Sequence, residues 1–312
     1  LASAVRRGPV ATMLGKLAPP AQARVVGALG GGEPAGGNEY TPPGAVWADP
    51  GAFFKEAAEF FDPMQGGLGD CYLIAALCAV AWSRPYVLMQ RTRATGAGNS
   101  SFVDRIDFYS GGAAVPVEVT EFLPLVASTH AWIYGRSTEA GEIWPAVYEK
   151  AFAKWKTGNP TDRPDYGPIA GGWPVQATVE LTNLKGRTET CSAHSADAIW
   201  GLVRSNSLSC RTVNPMTAWT FCTPNPPVSY AGTGIYAYHA YTILGWTYVA
   251  NRKYIVLRNP WAHNPAVIDA LGGSWSAYDV SWWRPVALNA GGVFAIPAET
   301  FKKYYWQFGW AS

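Results

Sequence analysis

The sequence predicts an α+β fold in two parts, a helix-rich first half and a strand-rich second half that meet near residues 183–186. Three observations carry this. Hydrophobic residues make up 48% of the 312 and charged residues 15%, a balance that builds a sizeable core and does not suit a disordered chain. Before residue 185 the apolar residues recur at helical spacing, and after it they form short runs of strand length. No fixed period repeats along the chain, which argues against solenoids and propellers.

Residues 1–45 stand apart from the rest. Ala, Gly and Pro dominate them, the one aromatic is Tyr40, and a short helix over 22–29 would run into Gly30, Gly31 and Gly32. This composition predicts a flexible tail, with a propeptide or autoinhibitory segment as the sharper alternative. The body begins near Val46. Residues 62–70 (DPMQGGLGD) hold a proline and three glycines and predict a loop. Residues 71–82 (CYLIAALCAVAW) follow at once, apolar on every face and without Gly or Pro. Such a helix must be buried all round, and Asp70 stands at its N-cap.

Phe102, Ile106 and Phe108, then Val115, Val117 and Val119, alternate with polar neighbours on either side of Ser110-Gly111-Gly112. That pattern predicts a β-hairpin. Residues 142–155 (EIWPAVYEKAFAKW) predict a helix, with Pro145 tolerated in its first turn and Gly158-Asn159-Pro160 as its stop. Residues 166–174, rich in Gly and Pro, predict a second loop. Beyond Thr182 the pattern predicts one short helix over 195–203, capped by Ser195, and strands over 209–213, 240–244, 253–257 and 293–296. The chain thus divides into a segment 1–45, a helical part 46–185 and a β-rich part 186–312.

Composition also bounds the function. Lys plus Arg is 24 and Asp plus Glu 22, too even a balance to argue for nucleic acid or an anionic membrane as partner. No apolar run approaches the roughly 20 residues that span a bilayer. The five cysteines are an odd number, so at least one is unpaired, and none of the four histidines lies at metal-ligand spacing from another His or Cys. The odd cysteine count and the missing secretory signal favour an intracellular protein.

Cys71 is the first candidate for chemistry. A cysteine in the first turn of a helix meets the positive end of the helix dipole, which favours the nucleophilic thiolate. By residue type alone it would be a core cysteine, as Cys78 is expected to be. A nucleophilic thiol needs a base, and the base needs an orienting group. His130, His194 and His263 have local loop or capping contexts. His239 opens an apolar strand, and Asn259 closes another twenty residues later. Adjacent strand ends can bring an imidazole and a carboxamide together in a Cys-His-Asn arrangement.

At these residues the chain resembles a known family. QGGLGDCYLIAAL (65–77) resembles the active-site segment of the calpain-family cysteine proteases, Q-G-x-L-G-D-C-W-L-L-A-A, while HAYTILG (239–245) and LRNPW (257–261) are similar to their histidine and asparagine segments. The resemblance implies a papain-like core of two lobes, a helical one with the nucleophile and a β-rich one with His and Asn. It implies Cys71 as nucleophile, His239 as general base and then acid, and Asn259 as orienter. It further implies Gln65 as an oxyanion-hole donor beside the Cys71 backbone N–H, Trp261 as a shield over the His–Asn hydrogen bond, and Gly171, Gly172 and Tyr238 against the substrate. The implied reaction is hydrolysis of peptide bonds through a thioacyl-enzyme. Transglutaminase-like acyl transfer and a catalytically silent peptide-binding module are the alternatives.

Tyr72 replaces the family's common Trp, and Tyr238 stands where many members have Gly. Calcium is implied by the resemblance, but Asp269 and Asp279 are the only acids between Asn259 and Arg284, fewer than a calcium site uses. Asp104, Asp107, Glu118 and Glu121 lie on a hairpin whose alternating faces would point them apart. No metal and no cofactor are therefore expected. The expected partner is a protein or peptide substrate, with no nucleic acid and no membrane, acted on by a monomer.

Overall fold

The apolar run at 71–82 folds as helix α1 (Cys71–Ser83), and every residue from Cys71 to Trp82 is buried. The computed structural model to which it belongs describes residues 39–94, 103–278 and 284–312. The helix expected over 22–29, the glycines at 30–32, Phe102 and Asp279 lie outside the described residues. Residues 39–45 lie within them, where Tyr40 N–H donates to the Arg163 carbonyl at 2.9 Å and Ala45–Ala48 pairs with Leu123–Val126.

Asp70 occupies the N-cap position of α1, but its side chain does not cap. Its backbone carbonyl accepts from the N–H groups of Leu73 and Ile74 instead, and its carboxyl oxygens are buried. A short helix α2 (Pro85–Arg91) follows. The hairpin forms from Val103–Ser110 and Ala113–Thr120 in the register Ser110↔Ala113. Gly111 (φ 58°) and Gly112 (φ 87°) make its two-residue turn, whose twist needs positive φ at both positions. Helix α3 (Trp144–Thr157) carries Pro145 in its first turn and ends at Gly158 in the left-handed conformation.

The second loop is shorter than its composition predicts. Pro174 starts helix α4 (Pro174–Thr182), which Asn183 ends in the left-handed region. Proline suits the first helical position, because the N–H that it lacks would have no partner there. Helix α5 (Ala196–Ser205) is capped as expected, with Ser195 Oγ accepting from Ala198 N–H at 3.1 Å.

The strands build one large antiparallel sheet in the order Val293–Pro297, Arg252–Arg258, Ala240–Val249, Arg211–Thr220, Tyr305–Ala311 and Gly186–Thr190, with Ser207–Leu208 beside Arg211–Thr220. The run expected at 209–213 extends through Asn214 and Pro215, and the register shifts between Arg211 and Met216. A bulge of this kind admits a proline that a regular ladder would reject. Besides the two-residue Ser207–Leu208, two strands of this sheet escape prediction. Gly186–Thr190 (GRTET) is a polar edge strand, and Tyr305–Ala311 follows helix α6 (Ala298–Tyr304) without a turn.

The sheet is covered on both faces. Ala240, Leu244, Tyr254, Val256, Val293 and Ala295 join the core cluster of α1, α3, α4 and the hairpin. Their alternating neighbours Tyr241, Ile243, Ile255, Leu257, Phe294 and Ile296 join a second cluster with α5 and α6. Burial on both faces explains why these strands read as unbroken apolar runs. The architecture is mixed α/β.

Arg258, fully buried at the end of its strand, ties the sheet to the loop before α1. Its guanidinium donates to the carbonyls of Phe61 (2.6 Å), Pro63 (2.8 Å) and Gly291 (3.2 Å). Arg258→Met keeps the packing volume but strips these three carbonyls of their donor. At about 1–3 kcal/mol for each buried polar group left unsatisfied, a loss of at least about 3 kcal/mol is expected in chemical denaturation. A change below about 0.5 kcal/mol, the range of ordinary surface substitutions, would show that the clamp does not contribute.

Candidate active site

The loop leading into α1 is held from several directions. Gln65 N–H donates to the Pro260 carbonyl at 2.9 Å, and Gly67 N–H to the Ile133 carbonyl at 2.8 Å. A Cβ on Gly66 would lie 2.1 Å from the Tyr134 carbonyl oxygen, so only glycine lets these two backbones meet. The loop delivers Cys71 to the first turn of α1, where it is buried. The Ala240 backbone N–H acts on its sulfur in the direction that favours the thiolate. The nucleophile candidate and the residue next to His239 line the same cavity.

His239 directly precedes the strand Ala240–Val249, and Asn259 directly follows Arg252–Arg258. These strands are antiparallel neighbours with Thr242 opposite Arg258, so the two side chains emerge at one end of the sheet. His239 Nε2 lies 2.9 Å from Asn259 Oδ1, which leaves Nδ1 as the ring atom for another partner. Asn259 Oδ1 also accepts from Trp261 N–H at 3.1 Å. The Trp261 ring covers the imidazole with centroids 4.4 Å apart, and Tyr241 meets the same imidazole edge-on at 4.9 Å. Burial holds the His239 imidazole down to about 4, with the Asn259 hydrogen bond opposing the shift. Burial pushes the Cys71 thiol up to about 12. The resting pair is a neutral thiol beside a neutral imidazole, and the preference for thiolate expected from the helix dipole does not survive desolvation here.

Cys71 and His239 line one cavity together with Gly171, Gly172 and Tyr238, so five of the sequence-predicted residues meet there. Gly171 is held by its N–H to the Gly69 carbonyl at 2.8 Å. A Cβ on Gly172 would fall 2.5 Å from the Tyr72 ring, so the aromatic that follows Cys71 packs on a glycine. Tyr238 has a φ of 55°. Gln65 is not among the residues that line the cavity. Its Nε2 donates to the Leu68 carbonyl at 2.6 Å, and an amide nitrogen has one further hydrogen to offer. Trp173, Trp219 and Cys222 also line the cavity, and none was singled out from sequence. Trp219 sits near the end of the strand Arg211–Thr220, where a core tryptophan and a cavity wall look alike.

Among the described residues, one group of three acidic side chains converges closely enough for a metal ion. It is Asp62, Glu139 and Glu142, with oxygens within 4.8 Å of one another. It is not among the acids weighed from sequence. Three carboxylates fall short of the six to eight oxygens that calcium takes. Asp62 Oδ2 accepts from Glu59 N–H and Trp144 Nε1–H. Glu142 accepts from Lys55 N–H and Ser137 Oγ–H, and Lys55 Nζ sits 3.3 Å from Glu139. With the group occupied by protein donors and a cation, no step of the chemistry is routed through a metal.

Comparison with known proteins follows this geometry. The model for the calpain family of cysteine proteases matches residues 20–305. A thiol protease of Porphyromonas gingivalis is 29% identical over 264 residues, covering 78% of this chain and 53% of that protein. Calpain-B of Drosophila melanogaster is 28% identical over 263 residues, with 78% and 25% covered. Calpain-13 of Rattus norvegicus is 25% identical over 256 residues, with 79% and 35% covered. The chain therefore spans 53% of the first relative's length and 25–35% of the two calpains. With the family matched across most of its length, the chain belongs to the calpain family of cysteine proteases.

Proposed function

We propose that the chain is a cysteine endopeptidase that hydrolyses peptide bonds through Cys71, His239 and Asn259. The observation that carries this reading is the His239–Asn259 hydrogen bond of 2.9 Å beside a cavity that His239 shares with Cys71. In this reading the helical part and the large sheet are the two lobes of a papain-like core, with the cleft between them. His239 Nδ1 takes the thiol proton as sulfur attacks the substrate carbonyl. Asn259 holds the imidazole in the tautomer and orientation that this transfer needs. The tetrahedral oxyanion is met by the Cys71 backbone N–H and by the second hydrogen of Gln65 Nε2. His239 then protonates the leaving amine, and water hydrolyses the thioester with His239 as base. Trp261 keeps water off the His–Asn bond, and Gly171, Gly172 and Tyr238 flank the peptide.

A neutral resting pair is suited to this chemistry. The charge separation forms only when a substrate expels water from the cleft and the oxyanion donors are engaged, so the charge develops where it is stabilised.

Cys71→Ala is expected to abolish cleavage of a casein panel with the fold intact. An epoxide-type cysteine protease inhibitor should modify Cys71 and spare Cys78, Cys191, Cys210 and Cys222. Modification of another cysteine, read by peptide mass mapping, would sink the assignment.

Since His239 acts as a base only when neutral, kcat/KM for a substrate without ionisable groups should rise as pH passes upward through about 4. The same shift, from 6.5 to about 4, means that the unfolded state binds the proton more tightly. Stability is therefore full above pH 6.5 and falls as pH drops from there through 4. An acid limb near 6.5 would mean that the imidazole is in water in the working enzyme.

The reading uses no metal, so activity should persist in EGTA. An enzyme silent in chelator and restored by micromolar calcium would overturn this part, and Asp62→Asn would then test the convergent acids.

A further inference from the structure

Two kinds of residue line the cavity that Cys71 and His239 share. Gly171 and Gly172 carry no side chain, whereas Trp173, Trp219 and Tyr238 are among the largest residues a chain can place there. No carboxylate and no cation lines it among the described residues. The space that remains has a volume of about 20 Å³, room for about one water molecule. A methyl or hydroxymethyl group is of that size, and the side chains of leucine and phenylalanine are several times larger.

The tryptophans have little freedom to retreat. Trp219 is 4% exposed, and its strand Arg211–Thr220 lies inside the large sheet, between Ala240–Val249 and Tyr305–Ala311. Trp173 meets Trp219 edge-on with ring centroids 5.9 Å apart, and the Trp306 ring lies 6.1 Å from Trp173. Pro174, the first residue of α4, directly follows Trp173. Rings packed in this way admit an extra group only at a cost.

Tyr238 completes the set from a strained position. Its φ of 55° lies in the left-handed region, which glycine enters freely and a residue with a Cβ enters at a cost. Its N–H donates to the Phe221 carbonyl at 3.1 Å, and the next N–H, that of His239, donates to Thr220 Oγ1 at 3.1 Å. Both bonds hold the backbone in this conformation. Glycine would relax the turn, yet the chain places a tyrosine at the cavity. Strain retained beside a reacting group points to a use for the side chain that causes it.

We propose that Trp173, Trp219 and Tyr238 form a size filter, with Tyr238 as the specificity-determining residue. The substrate residue seated in the cavity beside Cys71 carries a small uncharged side chain, as in glycine, alanine or serine. Larger side chains meet the rings, and charged ones find no counter-charge. The filter deepens the peptidase reading above and rests on it for the substrate being a peptide.

Peptide libraries varied at each position around the cleaved bond test it. At one position, glycine, alanine and serine should be cut with kcat/KM at least about tenfold above leucine and phenylalanine, the scale on which a pocket distinguishes side chains by a methylene or more. Tyr238→Gly should bring leucine at that position to within about threefold of alanine and leave the preferences at the other positions in place. Labelling rates of Cys71 with peptidyl epoxides, carrying alanine or leucine at each position in turn, should give the same ratios without hydrolysis. The filter is overturned if no position discriminates against leucine and phenylalanine in the wild type, or if Tyr238→Gly keeps the wild-type ratio in both assays. Selective labelling of Cys71 in a chain that cuts no peptide would keep the filter and remove the hydrolysis proposed above.

Discussion

The all-round burial of helix α1 is the constraint on which the site depends. A helix with no polar face cannot rest on one layer. It needs α3 and α4 around it and the face of the large sheet behind it, and the core cluster that joins them contains residues from all of these. Among the hydrogen bonds that fix the helix on the sheet, two run to one strand. Trp82 Nε1 donates to the Leu244 carbonyl at 2.7 Å, and Thr242 Oγ1 donates to the Ala75 carbonyl at 2.7 Å. Both sheet partners belong to the strand that His239 opens. The helix is thereby aligned along that strand, and Cys71 reaches its entry. Rigid elements on both sides hold the pair more closely than loops could.

Burial sets the chemistry as well as the geometry. The apolar packing that places Cys71 and His239 also removes water from them, which disfavours the ionised form of each. The helix dipole works in the other direction, but its field reaches Asp70 first. A carboxylate at the N-cap carries a full charge against roughly half a charge at a helix terminus. Desolvation outweighs the dipole at Asp70 as well, whose carboxyl is pushed up to about 6, and in the proposed chemistry activation falls to His239. This is why the tautomer fixed by Asn259 matters. A base that is neutral at rest must present the correct ring nitrogen without first reorganising.

Much of this was legible in the sequence, and the residues show why. The apolar run at 71–82 and the capped helix at Ser195 are local patterns and fold where they were read. His239 and Asn259 could be singled out because each terminates a strand, and antiparallel pairing of neighbouring strands brings such ends together. What escaped depends on tertiary context. Pro174 looks the same in a loop and at the start of a helix. GRTET pairs only because the last strand offers it an edge. Asp62 is far in the chain from Glu139 and Glu142, and the three converge only when the loop before α1 packs on α3. Gln65 was legible as a candidate donor, but its bond to the Leu68 carbonyl was not.

Glycine connects these levels in one respect that side-chain patterns cannot reveal. Gly66 permits the loop before α1 to touch the backbone at Tyr134, and Gly172 permits contact with Tyr72. Each removes a Cβ where the nucleophile's loop or its next neighbour meets another segment. In both places the chain lies closer than any side chain allows, so the loop has little room to relax around a bound peptide. A site so restrained gains little from contacts that merely hold the substrate. In the proposed reaction its advantage would lie in donors that need no movement at the moment they act.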